Sequence, residues 1–170
     1  MVGVGASAQQ EAMISQYMFN GLMLNPAYAG SHDYFSTSVL HRSQWVQFDN
    51  APVTQVFSID GPIAGDRLGI GINVVNDRLG IVNQLDFGAN IAVKFPMENG
   101  TLSFGLRADV VSYSAKLSEV IVQDVNDPIY SFNDIQGQFA TQFAFGAYYH
   151  ADTWYLGLGI PNLYSLDDNI

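Results

Sequence analysis

The chain has 170 residues, enough for one domain, and 48% of them are hydrophobic while only 13% are charged, about half the charged share of an ordinary soluble domain. A formal charge of −10 with six Lys+Arg excludes a basic nucleic-acid groove, because phosphates repel an acidic surface. The absence of cysteine excludes disulfide and thiolate chemistry. No stretch reaches the about 20 consecutive apolar residues of a membrane helix. A chain too apolar for a soluble surface, yet without a spanning helix, points to a transmembrane β-barrel, whose apolar residues occupy every second position. A soluble barrel around a ligand cavity is the rival reading.

The N-terminus carries Ala6-Ser7-Ala8, the small-x-small pattern of a signal-peptidase site, so residues 1–8 read as a signal-peptide remnant. Residues 9–30 read as an N-terminal periplasmic segment made of a short amphipathic helix and a turn. Within Gln10–Leu24, the residues Met13, Ile14, Tyr17, Met18 and Leu22 recur at helical spacing. Asn25-Pro26 should end that helix, since a residue before proline avoids the α region. In the following turn Gly30 is free to take positive φ.

From residue 31 to 170 the period is two, as in a partial outer-membrane β-barrel beginning near Asp33. The expected strands are Phe35–Trp45, a less regular one holding Val53, Gln55, Phe57 and Ile59, and one placing Leu68, Ile70, Ile72 and Val74 on a single face. Next come Leu85, Phe87, Ala89, Ile91, Val93 and Phe95 against Asp86, Gly88, Asn90 and Lys94. Leu102, Phe104, Leu106, Ala108 and Val110 oppose Ser103, Gly105, Arg107 and Asp109. Two last strands carry Phe139 to Tyr149 and Trp154 to Ile160. The fold class is therefore all-β: an antiparallel up-and-down transmembrane barrel of about seven strands, preceded by the short helix.

Alternation alone does not say which face is outside. The polar face is rich in Gly, Ser and Asn and poor in long charged side chains. That suits a crowded lumen better than a soluble surface, which needs charge. The Phe95–Leu102 hairpin should then oppose Phe95 to Leu102, Val93 to Phe104 and Ile91 to Leu106, with Asn90 to Arg107 and Gly88 to Asp109 inside. A slip by one residue would push Arg107 into lipid. Asp86, Lys94, Arg107 and Asp109 should form a luminal charge cluster, with Gly88 and Gly105 making room for it. Short turns are expected at Gly61–Asp66, Pro96–Gly100 and His150–Asp152. Longer loops are expected at Val46–Pro52, Asn76–Gly80 and Ser114–Gln136.

Catalytic, cofactor and metal sites are not expected. Ser31-His32-Asp33 are contiguous and cannot converge as a triad, and His41 is better read as a rim residue. Three scattered histidines give no zinc spacing. The acidic stretch with Asp124, Asn126, Asp127 and Asp134 has isoleucines where a calcium loop needs glycine and glutamate. Gly69 and Gly71 lack the third glycine of a nucleotide fingerprint.

The stretch Ser15-Gln16-Tyr17-Met18-Phe19-Asn20 followed by Asn25-Pro26-Ala27-Tyr28-Ala29-Gly30 resembles the PorP/SprF family. So do His41-Arg42-Ser43-Gln44-Trp45, Pro52 with Thr54-Gln55, Asp60-Gly61-Pro62 and Asn76-Asp77 with Gly80. These are outer-membrane proteins of the type IX secretion system, which serves protein export and gliding motility. Gly21, Gln47 and Asn50 depart from the pattern. The resemblance implies a barrel of about twice this strand count, of which this chain would be the N-terminal half, clipped at both ends; single-chain bacterial barrels have even strand numbers. It implies no enzyme. It implies a barrel that docks secreted surface proteins or adhesins as cargo and contacts other secretion proteins, periplasmic lipoprotein components and outer-membrane lipid. Tyr17, Phe19, Asn20, Asn25, Pro26 and Tyr28 are the candidate partner contacts, in a segment that could equally plug the barrel mouth. An outer-membrane porin or hydrophobic-substrate channel is the alternative. A soluble lipocalin-like binding barrel and an acyl-modifying enzyme are weaker ones, the last needing a Ser–His pair that cannot be built here.

Overall fold

The computed structural model describes residues 20–45, 50–63, 67–116 and 135–167. It is a seven-stranded antiparallel sheet in strict chain order: β1 (Ser36–Ser43), β2 (Val53–Ile63), β3 (Leu68–Leu79), β4 (Val82–Met97), β5 (Gly100–Ala115), β6 (Ile135–His150) and β7 (Tyr155–Asp167). Every neighbour pairs with the next, and β1 and β7 are the two edges, so the sheet is not closed. One helical turn, α1 (Gly21–Leu24), and a 3₁₀ turn, Pro26–Tyr28, precede it. No described helix is long and apolar enough to cross a membrane.

The β4–β5 register is the one the alternation demands. Phe95 faces Leu102, Val93 faces Phe104, Ile91 faces Leu106, Asn90 faces Arg107 and Gly88 faces Asp109. Met97 opposite Gly100 closes a two-residue turn at Glu98-Asn99. Two irregularities interrupt the ladders. One lies between β5 and β6 near Gly137, whose φ is +67°. In the other, Ile160 pairs with Phe145 and Tyr164 with Phe143, a bulge at Pro161, which has no amide to donate.

Two expectations shift. The wall begins at Ser36 rather than near Asp33. The expected loop Asn76–Gly80 is strand as far as Leu79, which pairs with Val82 around a Gly80-Ile81 turn with Gly80 at φ +61°. Its polar residues are there to pair across strands: Thr54 Oγ1 donates to Asp77 Oδ1 at 2.6 Å, and Asn76 Nδ2 donates to Gln55 Oε1 at 3.4 Å. Of the expected helix Gln10–Leu24, the described part is the single turn α1; its earlier residues lie outside the described range, as does most of the Ser114–Gln136 connection.

The two faces differ in kind. One, here the inner face, buries Ser58 and Asp60 of β2, Asn73 of β3, Asn90 and Lys94 of β4, and Ser103 and Asp109 of β5. The other is bare and apolar: Val39, Phe57, Ile72, Phe87, Ile91, Phe104, Leu106, Val110, Leu156 and Leu158 are all exposed. Phe95, Phe104 and Phe145 form a run of ring contacts across it, with centroids 6.1 and 6.3 Å apart. A soluble lipocalin-like barrel would be the reverse, apolar within and polar without, so that reading is overturned.

Candidate functional site

The inner face is not empty. Residues 20–30 lie across it as a strap. Its shape follows from local sequence. Asn25 precedes proline and is extended, at φ −150° and ψ 115°, because the α region is closed to it. Pro26 opens the 3₁₀ turn, where its missing amide costs nothing. The Asn25 side chain caps that turn, with Oδ1 accepting from Ala27 N–H at 2.9 Å. Gly30 ends the strap at φ +65°, a conformation that other residues adopt only with strain.

Beneath the strap the sheet is floored with glycine. A methyl group added at Gly69 would overlap the carbonyl of Ala29, one at Gly105 would meet the backbone of Pro26 and Ala27, and one at Gly146 would meet the Asn25 amide oxygen. At Gly71 it would press on the Leu22 methyls. Leu22, Ala27 and Ala29 are accordingly buried, and Leu22 and Ala29 pack with Ala92 and Tyr28. Inner-face glycine is therefore the space a backbone needs to lie directly on a backbone. Gly88 does make room for Asp109 and Asn73, but Gly105 makes room for the strap and not for charges.

Polar side chains hold the strap at both ends and in the middle. Gly30 is gripped from two sides: its N–H donates to Asp60 Oδ2 at 2.9 Å, and its carbonyl accepts from Lys94 Nζ at 2.6 Å. Arg107 Nη1 donates to the Met23 carbonyl at 3.1 Å, while Arg107 Nε donates to Asp109 Oδ2 at 2.7 Å. Asn20 Nδ2 donates to Ser58 Oγ at 2.8 Å. Asn25 Nδ2 donates to the carbonyls of Ala147 and Leu158, at 2.9 and 3.2 Å, which belong to paired residues of β6 and β7. Buried charge is thus met by backbone dipoles and one ion pair, as burial requires. Asn73 and Asn90 add a link at 2.7 Å beside the strap. Tyr28 meets His32 through its hydroxyl at 3.0 Å and Tyr148 edge-on at 5.5 Å. Burial, with the Asp60 carboxylate adding to it, pushes the Tyr28 phenol above its usual range.

Of the candidate contacts, Asn25 and Pro26 are buried between the strap and the sheet as parts of the strap, Asn20 and Tyr28 are half-buried, and Tyr17 and Phe19 lie outside the described residues. Of the four charges, Arg107 and Asp109 are brought together, Lys94 binds the strap instead, and Asp86 sits on the same face between Val75 and Val111. Asp60 enters the sequence reading only within the Asp60-Gly61-Pro62 stretch of the resemblance, with no role assigned to it; it lies on the inner side of an alternating Thr54, Val56, Ser58, Asp60 run. His32 meets Tyr28 rather than forming a triad, and His41 faces Gln55 at 3.4 Å on the bare face. Among the described residues no three His, Cys, Asp or Glu gather as metal ligands. The acidic stretch 123–134 lies outside them.

No curated protein and no solved structure matches the chain. One family model does, that of the type IX secretion system membrane protein PorP/SprF, and it matches residues 6–170. With an all-β sheet, an apolar bare face and a polar face covered by its own N-terminal strap, the chain belongs to the PorP/SprF family of type IX secretion membrane proteins.

Proposed function

We propose that the protein is a non-enzymatic component of the outer membrane, docking secreted surface proteins or adhesins and contacting periplasmic secretion or gliding components, its lipoproteins among them. The observation that carries this reading is the filled inner face. A diffusion porin or hydrophobic-substrate channel needs a path along that face, and here the strap lies on it over a glycine floor. The working surfaces are then the two ends of the barrel.

The bare face supports the membrane placement. Leu85 to Phe95 of β4 covers about 33 Å along the strand at about 3.3 Å per residue. Tilted by about 40°, that run stands about 25 Å tall, the height of a barrel's apolar band. A polar row, His41–Gln55–Asn76, crosses the bare face of β1–β3 level with Leu85, at one end of that run. Tyr149 and Trp154, with ring centroids 5.0 Å apart, lie at the opposite end, where an aromatic girdle belongs. The Gly30 end of the strap lies toward that second end, at the level of Gly61, Gly69 and Lys94, on the side of the short turn at Glu98-Asn99. Short turns are the periplasmic habit, so residues 9–30 would come from the periplasm after cleavage behind Ala8. In this reading Asn20, Asn25, Pro26 and Tyr28 act by shaping the docked strap, and Tyr17 and Phe19 contact the partner.

The test is site-specific photocrosslinking in cells from position 17 or 19, with fractionation of the membranes. Adducts with a secreted surface protein or a periplasmic secretion component, in the outer-membrane fraction, are the expected result. Recovery of the protein in the soluble fraction, or large steady conductance in planar bilayers without any adduct, would overturn the reading.

A further inference from the structure

The strap is built like a ligand. Among the described residues its backbone-to-backbone hydrogen bonds are internal: Met23 to Asn20, Asn25 to Gly21, Tyr28 to Asn25, Ala29 to Pro26 and Ser31 to Tyr28. The strand ladders run from β1 to β7 without a strap residue in any register. Removing the strap would therefore break no sheet hydrogen bond. Among the described residues its polar links to the sheet pass through side chains, those of Asn20, Asn25, Asp60, Lys94 and Arg107. The surface under it is a groove shaped for a chain of small residues, with glycine at 69, 105 and 146 where any side chain would collide.

From this we propose that the inner face is a peptide-binding groove, and that residues 20–30 are its resident, releasable occupant. The groove recognises a turn of Asn-Pro-Ala-aromatic-Ala-Gly chemistry. Three features do the recognising. The glycine floor lets the backbone of the turn lie directly on the sheet. The β6–β7 carbonyls of Ala147 and Leu158 accept the asparagine amide. Asp60 and Lys94 clamp the terminal glycine by its N–H and its carbonyl. Release is permitted because the groups it uncovers, Asp60, Lys94 and Arg107, point to the luminal side, where water replaces the lost partners; on the lipid side the same loss would be prohibitive. The strap stays tethered to β1 through residues 31–35, a reach of at most about 18 Å, so departure and return need no change in the wall. A pull on the chain preceding Asn20 would open the groove to a peptide from elsewhere.

The chain has no cysteine, so a single thiol reports opening cleanly. Ala92 is fully buried against Leu22 and Ala29, and Ala92→Cys places the thiol under the strap. In the purified full-length protein it should resist an aqueous maleimide. Adding Asn25→Asp, a change on the strap that leaves the groove intact, should raise the labelling rate at least tenfold. A synthetic peptide of residues 20–32 added in trans should then restore protection, and the same peptide carrying Asn25→Asp should not. Gly30→Ala, which brings a methyl against the Gly69 backbone at a positive φ, serves as the second strap variant should the first not fold. Unchanged labelling in a folded strap variant, or faster labelling that the peptide does not reverse, would overturn the proposal. Neither readout depends on secretion, so a failed proposal here leaves the docking function standing and the converse also holds.

Discussion

Replacing Asn25 separates two roles that one side chain plays. Its oxygen caps the 3₁₀ turn at Ala27 N–H, and its nitrogen donates to two β6–β7 carbonyls. Asn25→Ala removes all three bonds. Loss of the cap costs about 1 kcal/mol, and each donated bond contributes about 0.5–1.5 kcal/mol net, so docking should weaken by about 2–4 kcal/mol. At about 1.4 kcal/mol per tenfold, the undocked fraction rises by roughly thirtyfold to nearly a thousandfold. Asn25→Asp keeps the capping oxygen, and aspartate caps as well as asparagine does. It nevertheless sets a carboxylate oxygen where the amide nitrogen stood, 2.9 and 3.2 Å from two carbonyl oxygens. The aspartate variant should be the worse of the two, by about 1–3 kcal/mol for a buried group without a partner. Its defect should shrink as pH falls through the carboxylic-acid range, because a protonated acid can donate to one of those carbonyls. Hydrogen–deuterium exchange of residues 20–30, compared with β4 in the same sample, measures the docking equilibrium. If the aspartate variant protects the strap as well as the native residue does, capping alone holds the strap and the bridge to β6 and β7 contributes nothing.

Two further outcomes follow from the faces of the sheet. Ile91→Arg, at mid-height on the bare face, should cost about 2–4 kcal/mol of stability in folding titrations with lipid vesicles, whereas Gln55→Arg, in the polar row, should cost at most about 1 kcal/mol; equal costs would remove lipid from that face. Arg107→Leu leaves Asp109, only 1% exposed, without its ion-pair partner at 2.7 Å and should destabilise by about 3 kcal/mol, part of which Arg107→Leu with Asp109→Asn recovers in the same titration.

The strands were legible because a wall between two unlike media writes itself at a period of two. The run from Leu85 to Phe95 names its bare face residue by residue, and the need to keep Arg107 off that face sets the β4–β5 register before any coordinates exist. Where polar residues stand on both faces, the pattern stops informing. Asn76 and Asp77 read as loop, and only their partners Gln55 and Thr54 on β2 reveal them as strand. The local form of the strap was also legible, since Asn25 before Pro26 and a glycine at position 30 act through their own backbone.

The sequence by itself therefore determined the all-β wall, which residues face outward, and a proline-stopped turn ahead of the first strand, since each depends on near neighbours along the chain. Only the tertiary structure decided what the inner face holds. Glycine at 69, 105 and 146 reads as mere alternation until Ala29, Pro26–Ala27 and Asn25 are seen lying on it. Asp60 and Lys94 are 34 residues apart by their numbers and on strands that do not pair with each other. They act together because both reach one glycine, Gly30. That meeting is set by the path of the chain across the wall, which leaves no periodic mark in the sequence.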